Sequence, residues 1–144
     1  IRTANAFGVS EVLIVGKKRF HEFGAFDTAK QTKKKHFYRI EEAVDYLRVK
    51  GCMIYGVEIV ENAHQIQVVE FTQPSGFMMG NEGDGLSDLQ KRLCDEFVTI
   101  PQYGTGSSIN VNVAAGIVLH HFAIQNNFIP SPIHDNEFIG GDAE

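Results

Sequence analysis

Tryptophan is absent from these 144 residues, and there are only four prolines and two cysteines. Cys52 and Cys94 stand far apart, with no Cys-x-x-Cys and no paired histidine spacing beside them, which argues against a zinc knuckle and against a disulfide scaffold. Nor do the histidines at 21, 36, 64, 120, 121 and 134 form a ligand spacing, so no metal site is expected. No apolar run approaches the ~18 residues that a membrane span needs; the longest, Val111 to Val118, is broken by Asn112 and Gly116. No signal-peptide pattern is present. A basic excess is missing too. The net charge is −5, whereas a dedicated nucleic-acid-binding domain is usually basic.

What is present fits a soluble globular domain. The residues are 43% hydrophobic and 22% charged, and the length suits one domain with a real core. Glycine, at 14 residues, is slightly enriched and signals tight turns. The positive charge is uneven. Lys17, Lys18 and Arg19 cluster, as do Lys30, Lys33, Lys34 and Lys35, while the tail after Asp135 is acidic. Each basic cluster reads first as a solvated loop, and their shared segment strengthens the alternative of a phosphate-facing one.

Strand and helix patterns alternate. Val12 to Val15 is a β-branched run, read as a strand buried on both faces, and Ala4 to Phe7 precedes it as a helix end closed by Gly8. Residues 17 to 36 have no clear period and read mostly as loop. Ile40, Ala43, Val44 and Leu47 fall on one helical face, closed by Gly51. Met53 to Val60 and Phe77 to Met79 read as buried strands, and Ile66 with Val68 as a short one. Ser87 and Gln90 form a capping box for a helix from Asp88 to about Cys94. A strand over Phe97 to Ile100 stops at Pro101, and a last helix runs from about Asn110 to Gln125. This order predicts an α/β fold with a mostly parallel sheet flanked by helices.

Ligands of such sheets bind beyond the carboxyl ends of the strands. Two segments stand there. Gly80-Asn81-Glu82-Gly83-Asp84-Gly85 matches neither the dinucleotide fingerprint nor the P-loop, and reads as a tight turn or as a ligand loop. Ile100-Pro101-Gln102-Tyr103-Gly104 leads through Ser108-Ile109-Asn110 into the last helix, where Ser108 or Asn110 suits an N-cap.

Together the two segments resemble motifs of the SPOUT-class RNA methyltransferases, in the TrmH/SpoU branch. The family's second motif, approximately L-V-x-G-x-E-x-x-G-L, is matched by Phe77-Met78-Met79-Gly80-Asn81-Glu82-Gly83-Asp84-Gly85-Leu86. Its third, approximately I-P-M-x-G-x-x-x-S-L-N-V-S-V-A, is matched by Ile100 to Gly104 and Ser108 to Ala114, with Gln102 for Met, Ile109 for Leu and Asn112 for Ser. Of the first motif, N-x-G-x-x-x-R-T-A, only Arg2-Thr3-Ala4 is present. The resemblance covers residues 1 to about 124 and implies one SPOUT domain over 1–144 that lacks its N-terminal start.

The resemblance further implies a deep C-terminal trefoil knot, a homodimer, and transfer of the methyl of S-adenosylmethionine to a ribose 2′-hydroxyl in tRNA or rRNA. Gly80, Ile100 and Ile109, with Met79, Gly85 and Gly104, would hold the cofactor. Glu82, Ser108 and Asn110 would serve transfer, and Arg2 would hold a phosphate and stabilise alkoxide charge, since a guanidinium stays protonated. Arg2, Lys17, Lys18, Lys33, Lys34 and Lys35 are the expected RNA contacts. Two other readings stand beside this one: a SPOUT-like module that binds RNA and dimerises without catalysis, and an unrelated α/β nucleotide enzyme that converged on Gly80 to Gly85. No metal or membrane partner is expected. The cysteine usage points to an intracellular setting, cytoplasm or nucleus, or an organelle if a targeting segment was removed.

Overall fold

A computed structural model describes residues 1–16, 32–106 and 108–132. Helix α1 (Arg2–Ala6) leads to β1 (Val12–Val15), β2 (Lys34–Phe37) and α2 (Ile40–Val49). Then follow β3 (Met53–Val57), β4 (His64–Gln65), a 3₁₀ turn (Ile66–Val68) and β5 (Ser75–Met79). Helix α3 (Asp88–Leu93), β6 (Glu96–Thr99) and α4 (Val111–Gln125) complete the order.

The expected parallel pairing holds, but in two sheets rather than one. β1 pairs with β2, and the second sheet has the order β4-β6-β3-β5, with every strand pair parallel. Among the described residues β1 and β5 each pair along one edge only, and both line a groove of about 1120 Å³. That groove explains why β1 is half-buried, with Val15 exposed, and not buried on both faces as its apolar run suggested.

Two further expectations need correction. Residues 34–37 form a strand, not loop: the Lys34 to Phe37 backbone is satisfied by register with Val12 to Val15, and His36 Nε2 lies 2.7 Å from the carbonyl oxygen of Gly16. Ile66 and Val68 are not a strand. Ile66 is buried and Val68 exposed, but the backbone closes as a 3₁₀ turn behind the two-residue β4.

The core lies between the larger sheet and α4. Tyr55, Ile66, Val69, Phe71, Val98 and Val118 are its buried centre. Four rings fill it: Tyr55 meets Phe71 edge-on at 5.1 Å, and Phe77 and Phe122 extend the cluster at centroid distances of 5.4–5.7 Å. The far end of α4 is tied to the loop before β5. The Gln125 side chain donates to Val69 O (2.6 Å) and accepts from Phe71 N–H (3.1 Å).

The Ser87–Gln90 capping box is present with both bonds, Gln90 N–H to Ser87 Oγ (3.2 Å) and Ser87 N–H to Gln90 Oε1 (2.8 Å), so α3 starts where the sequence placed it. Beyond α3, burial pushes the Cys94 thiol up to about 11; it is a packing group, beside Met78 Sδ and donating to Gln90 O.

Asp95 ties α2 to the sheet. Its Oδ1 accepts from Arg48 Nη1 (2.8 Å) and its Oδ2 from the backbone N–H of Ile54 (2.7 Å). Burial works to raise the carboxyl, but these bonds outweigh it and hold it below its ordinary value. A depressed carboxyl adds stability above its unfolded-state value, near 4, and that stability is lost as pH falls through the folded value. Asp95→Asn is therefore expected to lower the urea midpoint at pH 7 and to flatten its decline below about pH 4. Parallel acid limbs in the variant and the parent would refute this.

Candidate active site

Three adjacent strand ends build the site. β3, β5 and β6 are parallel neighbours, so Val57, Met79 and Thr99 finish side by side, and the chain beyond each opens a cleft of about 600 Å³. Its walls include Glu58 after β3, Gly80 to Gly85 after β5, Ile100 and Gln102 after β6, and Ser108 to Val111 leading into α4. This is the usual ligand position of an α/β sheet, and the size suits a small organic ligand.

The turn after β5 closes on itself. Asn81 N–H donates to Gly85 O (3.2 Å) and Gly85 N–H donates to Asn81 O (3.0 Å), which leaves Glu82, Gly83 and Asp84 at the tip. Gly80 packs directly beneath the returning chain. A Cβ there would stand 2.5 Å from the carbonyl carbon of Gly85 and 2.7 Å from Leu86 N, so only glycine lets the backbone come this close.

Asn110 serves two elements at once. Its Oδ1 accepts from the N–H groups of Asn112 (2.8 Å) and Val113 (3.3 Å), which caps α4. Its Nδ2 donates to Glu82 Oε1 (3.2 Å), which joins the two ligand-facing segments across the cleft. Thr3 Oγ1 in turn donates to Asn112 Oδ1 (2.7 Å), docking α1 on the start of α4.

Of the expected catalytic and cofactor residues, Met79, Gly80, Glu82, Gly85, Ile100, Ser108, Ile109 and Asn110 line this one cleft. Two do not. Gly104 lies outside it on an exposed loop, and Arg2 is exposed on α1, one residue from the Thr3–Asn112 contact. Lys17 and Lys18 fall outside the described residues. Lys33 is exposed and Lys34 belongs to β2. The Lys35 ammonium sits 4.2 Å above the Tyr46 ring, and the Tyr46 hydroxyl donates to Glu11. Val57, Glu58 and Thr99 also line the cleft; the sequence read them within strands and gave them no site role, and β3 ends at Val57 rather than at the expected Val60, which puts Glu58 just past the strand. Among the described residues no group of three metal-binding side chains converges, and no helix is long and apolar enough to cross a membrane.

The fold recurs in solved methyltransferases. AviRb from Streptomyces viridochromogenes, crystallised with AdoMet, superposes with a TM-score of 0.78 at 23% identity over 88% of this chain and 53% of its own. The TrmH/SpoU tRNA-modifying enzyme of A. aeolicus gives 0.78 at 25% identity, over 96% and 74%. In sequence, the tRNA (guanosine(18)-2′-O)-methyltransferase of Escherichia coli is 28% identical across 96% of this chain and 62% of its own length. The 23S rRNA (guanosine-2′-O-)-methyltransferase RlmB of Coxiella burnetii is 34% identical across 92% and 54%. The chain thus spans little more than half the length of these two relatives. The family model described as SpoU rRNA methylase matches residues 1–120, and with that match across the cleft, both motifs and α1, the chain belongs to the SpoU rRNA methylase family.

Proposed function

We propose that this domain transfers the methyl group of S-adenosylmethionine to a ribose 2′-hydroxyl of tRNA or rRNA. The observation that carries the reading is the joining of both ligand-facing segments into one cleft by the Asn110–Glu82 bond. The residues fit an adenosyl ligand. Gly80, whose lack of a Cβ lets it pack against Gly85 and Leu86, lines the cleft with backbone, and Met79, Val57, Ile100 and Ile109 give apolar walls for a flat base. When bound, the donor supplies an already activated methyl on its sulfonium, so the chain has to align the two groups and let the 2′-hydroxyl proton leave to an acceptor or to water.

Glu82, Ser108 and Asn110 stand on the rim, where they can hold polar ends of donor and acceptor. Arg2, exposed on α1, would supply positive charge for a phosphate and for oxygen charge that develops at the 2′-position. Lys33 and Lys34 are further candidate RNA contacts, as are Lys17 and Lys18, which lie outside the described residues; Lys35 is turned to Tyr46 and adds less.

The C-terminal trefoil knot and the homodimer belong to this reading. The first rests on membership of the SpoU family. The second is supported by α4 itself, whose apolar residues are not confined to one face: it buries Ala114 and Val118 and exposes Val113 and Ile124. An intracellular setting follows from the substrate class, and both cysteines are free.

Calorimetric titration with S-adenosylhomocysteine tests the reading; micromolar affinity is expected, and its absence in the folded full-length protein overturns it. Arg2→Ala is expected to lower transfer to RNA by roughly tenfold to a hundredfold while leaving S-adenosylhomocysteine affinity within about twofold. A proportionate loss of both would place Arg2 in the fold instead.

A further inference from the structure

We propose that Glu58 is a positioning residue: its carboxylate holds the turn from Gly80 to Leu86 in the shape that accepts the methyl donor. The inference rests on the cleft being the donor site, and it concerns a residue outside both ligand-facing motifs.

Glu58 is the first residue past β3, and its base is fixed. Its N–H donates to the carbonyl of Val98, a fully buried residue of β6 (3.1 Å). From that anchor the side chain reaches across the cleft wall. Oε2 accepts from the backbone N–H of Leu86 at 2.6 Å, and Oε1 accepts from the N–H of Ile59 at 3.3 Å. Among the described residues Glu58 enters no ion pair, so its charge is met by backbone donors. A bond from an amide to an ionised carboxylate is roughly twice as strong as one to a neutral acceptor.

The carboxylate also dictates what can stand beneath it. Gly85, with φ of +68°, lies so close that a Cβ would collide with Glu58 Oε2 and stand 2.9 Å from its Oε1 and Cδ. Gly80 is packed against Gly85 and the Leu86 nitrogen from the other side. The three pieces are thus stacked: Glu58 holds Leu86 and Gly85, and these hold Gly80, whose backbone forms the cradle. Leu86 is buried, so the pull on its N–H is transmitted to a fixed residue and not to a free end.

Loss of the carboxylate should therefore loosen the cradle without touching the groups that act on the transferred methyl. For Glu58→Ala, the KM for the donor and the Kd for S-adenosylhomocysteine are expected to rise about 10- to 30-fold, with kcat within about threefold. Glu58→Gln keeps an acceptor oxygen for the Leu86 N–H and is expected to stay within about threefold of the parent in both. Gly85→Ala attacks the same contact from below and is expected to match Glu58→Ala.

The clamp itself is read without any ligand. Amide hydrogen exchange at Leu86 should quicken at least about tenfold in Glu58→Ala, while the amides of β3 and β6 keep the protection of the parent. Unchanged Leu86 exchange overturns the clamp, whatever the cleft binds. Faster exchange with unchanged Kd overturns its link to the donor. A Glu58→Gln variant as weak as Glu58→Ala overturns positioning in favour of a direct charge contact with the ligand. A parent protein that protects Leu86 but does not bind S-adenosylhomocysteine overturns the reading of the cleft, and this inference with it.

Discussion

Gly80→Ala is expected to abolish measurable binding of S-adenosylhomocysteine and to lower methyl transfer by about 1000-fold or more. The reason is contact, not dihedral strain. The added Cβ would meet the Gly85 carbonyl carbon at 2.5 Å and Leu86 N at 2.7 Å, and both are backbone atoms of a turn already closed by two Asn81–Gly85 hydrogen bonds. Backbone cannot swing aside like a side-chain tip, so the turn must move by a large part of an ångström. A shift of about 1 Å in a positioning group costs on the order of 100-fold in rate, and here the same shift also distorts the donor's cradle. Two controls separate this mechanism from general damage. Gly83 has a φ of +92° and nothing within 4 Å of where a Cβ would stand, so Gly83→Ala carries only conformational strain, about 1–2 kcal/mol, and should reduce affinity modestly. Gly104→Ala meets open space outside the cleft and should leave donor binding within about twofold. A Gly80→Ala protein that binds S-adenosylhomocysteine like the parent would remove Gly80 from the cradle; a Gly104→Ala protein that does not bind would restore the role its motif position suggested.

The contrast between Gly80 and Gly104 shows what a sequence can and cannot say about such a site. Both glycines sit in family motifs, yet only the fold distinguishes the one pressed against returning backbone from the one in open loop. Local signals were legible wherever neighbours in sequence are also partners in space. The Ser87–Gln90 box, the face of α2 carrying Ala43 and Val44, and the Asn110 cap all act within one turn of helix. β2 was not legible, because its stability comes from register with β1, and Lys34-Lys35-His36-Phe37 has no strand-like alternation of its own. The split into two sheets was hidden for the same reason: it depends on which edges meet, not on any strand's composition. Glu58 is the sharpest case. Its partner is a backbone amide 28 residues away, and a backbone amide leaves no mark in a sequence.

Asn110 offers the reverse opportunity, since its two jobs use different atoms and a single substitution can separate them. Asn110→Ala removes both. Loss of the cap on α4 costs about 1 kcal/mol, or a fall in Tm of roughly 2–6 °C for a domain of this size, and loss of the bond to Glu82 unlinks the two cleft segments. Asn110→Asp keeps an oxygen for the N–H groups of Asn112 and Val113, and a negative charge at the start of α4 complements the helix dipole. Tm should therefore stay at or near that of the parent. The new carboxylate, however, faces Glu82 Oε1 across what was a 3.2 Å hydrogen bond, and two like charges at that distance repel. Transfer is expected to fall by about a few hundredfold despite intact stability, a separation that a purely structural Asn110 could not produce. Equal losses of Tm in the two variants would refute the cap, and full activity in Asn110→Asp would show that the cleft closes without its bond to Glu82.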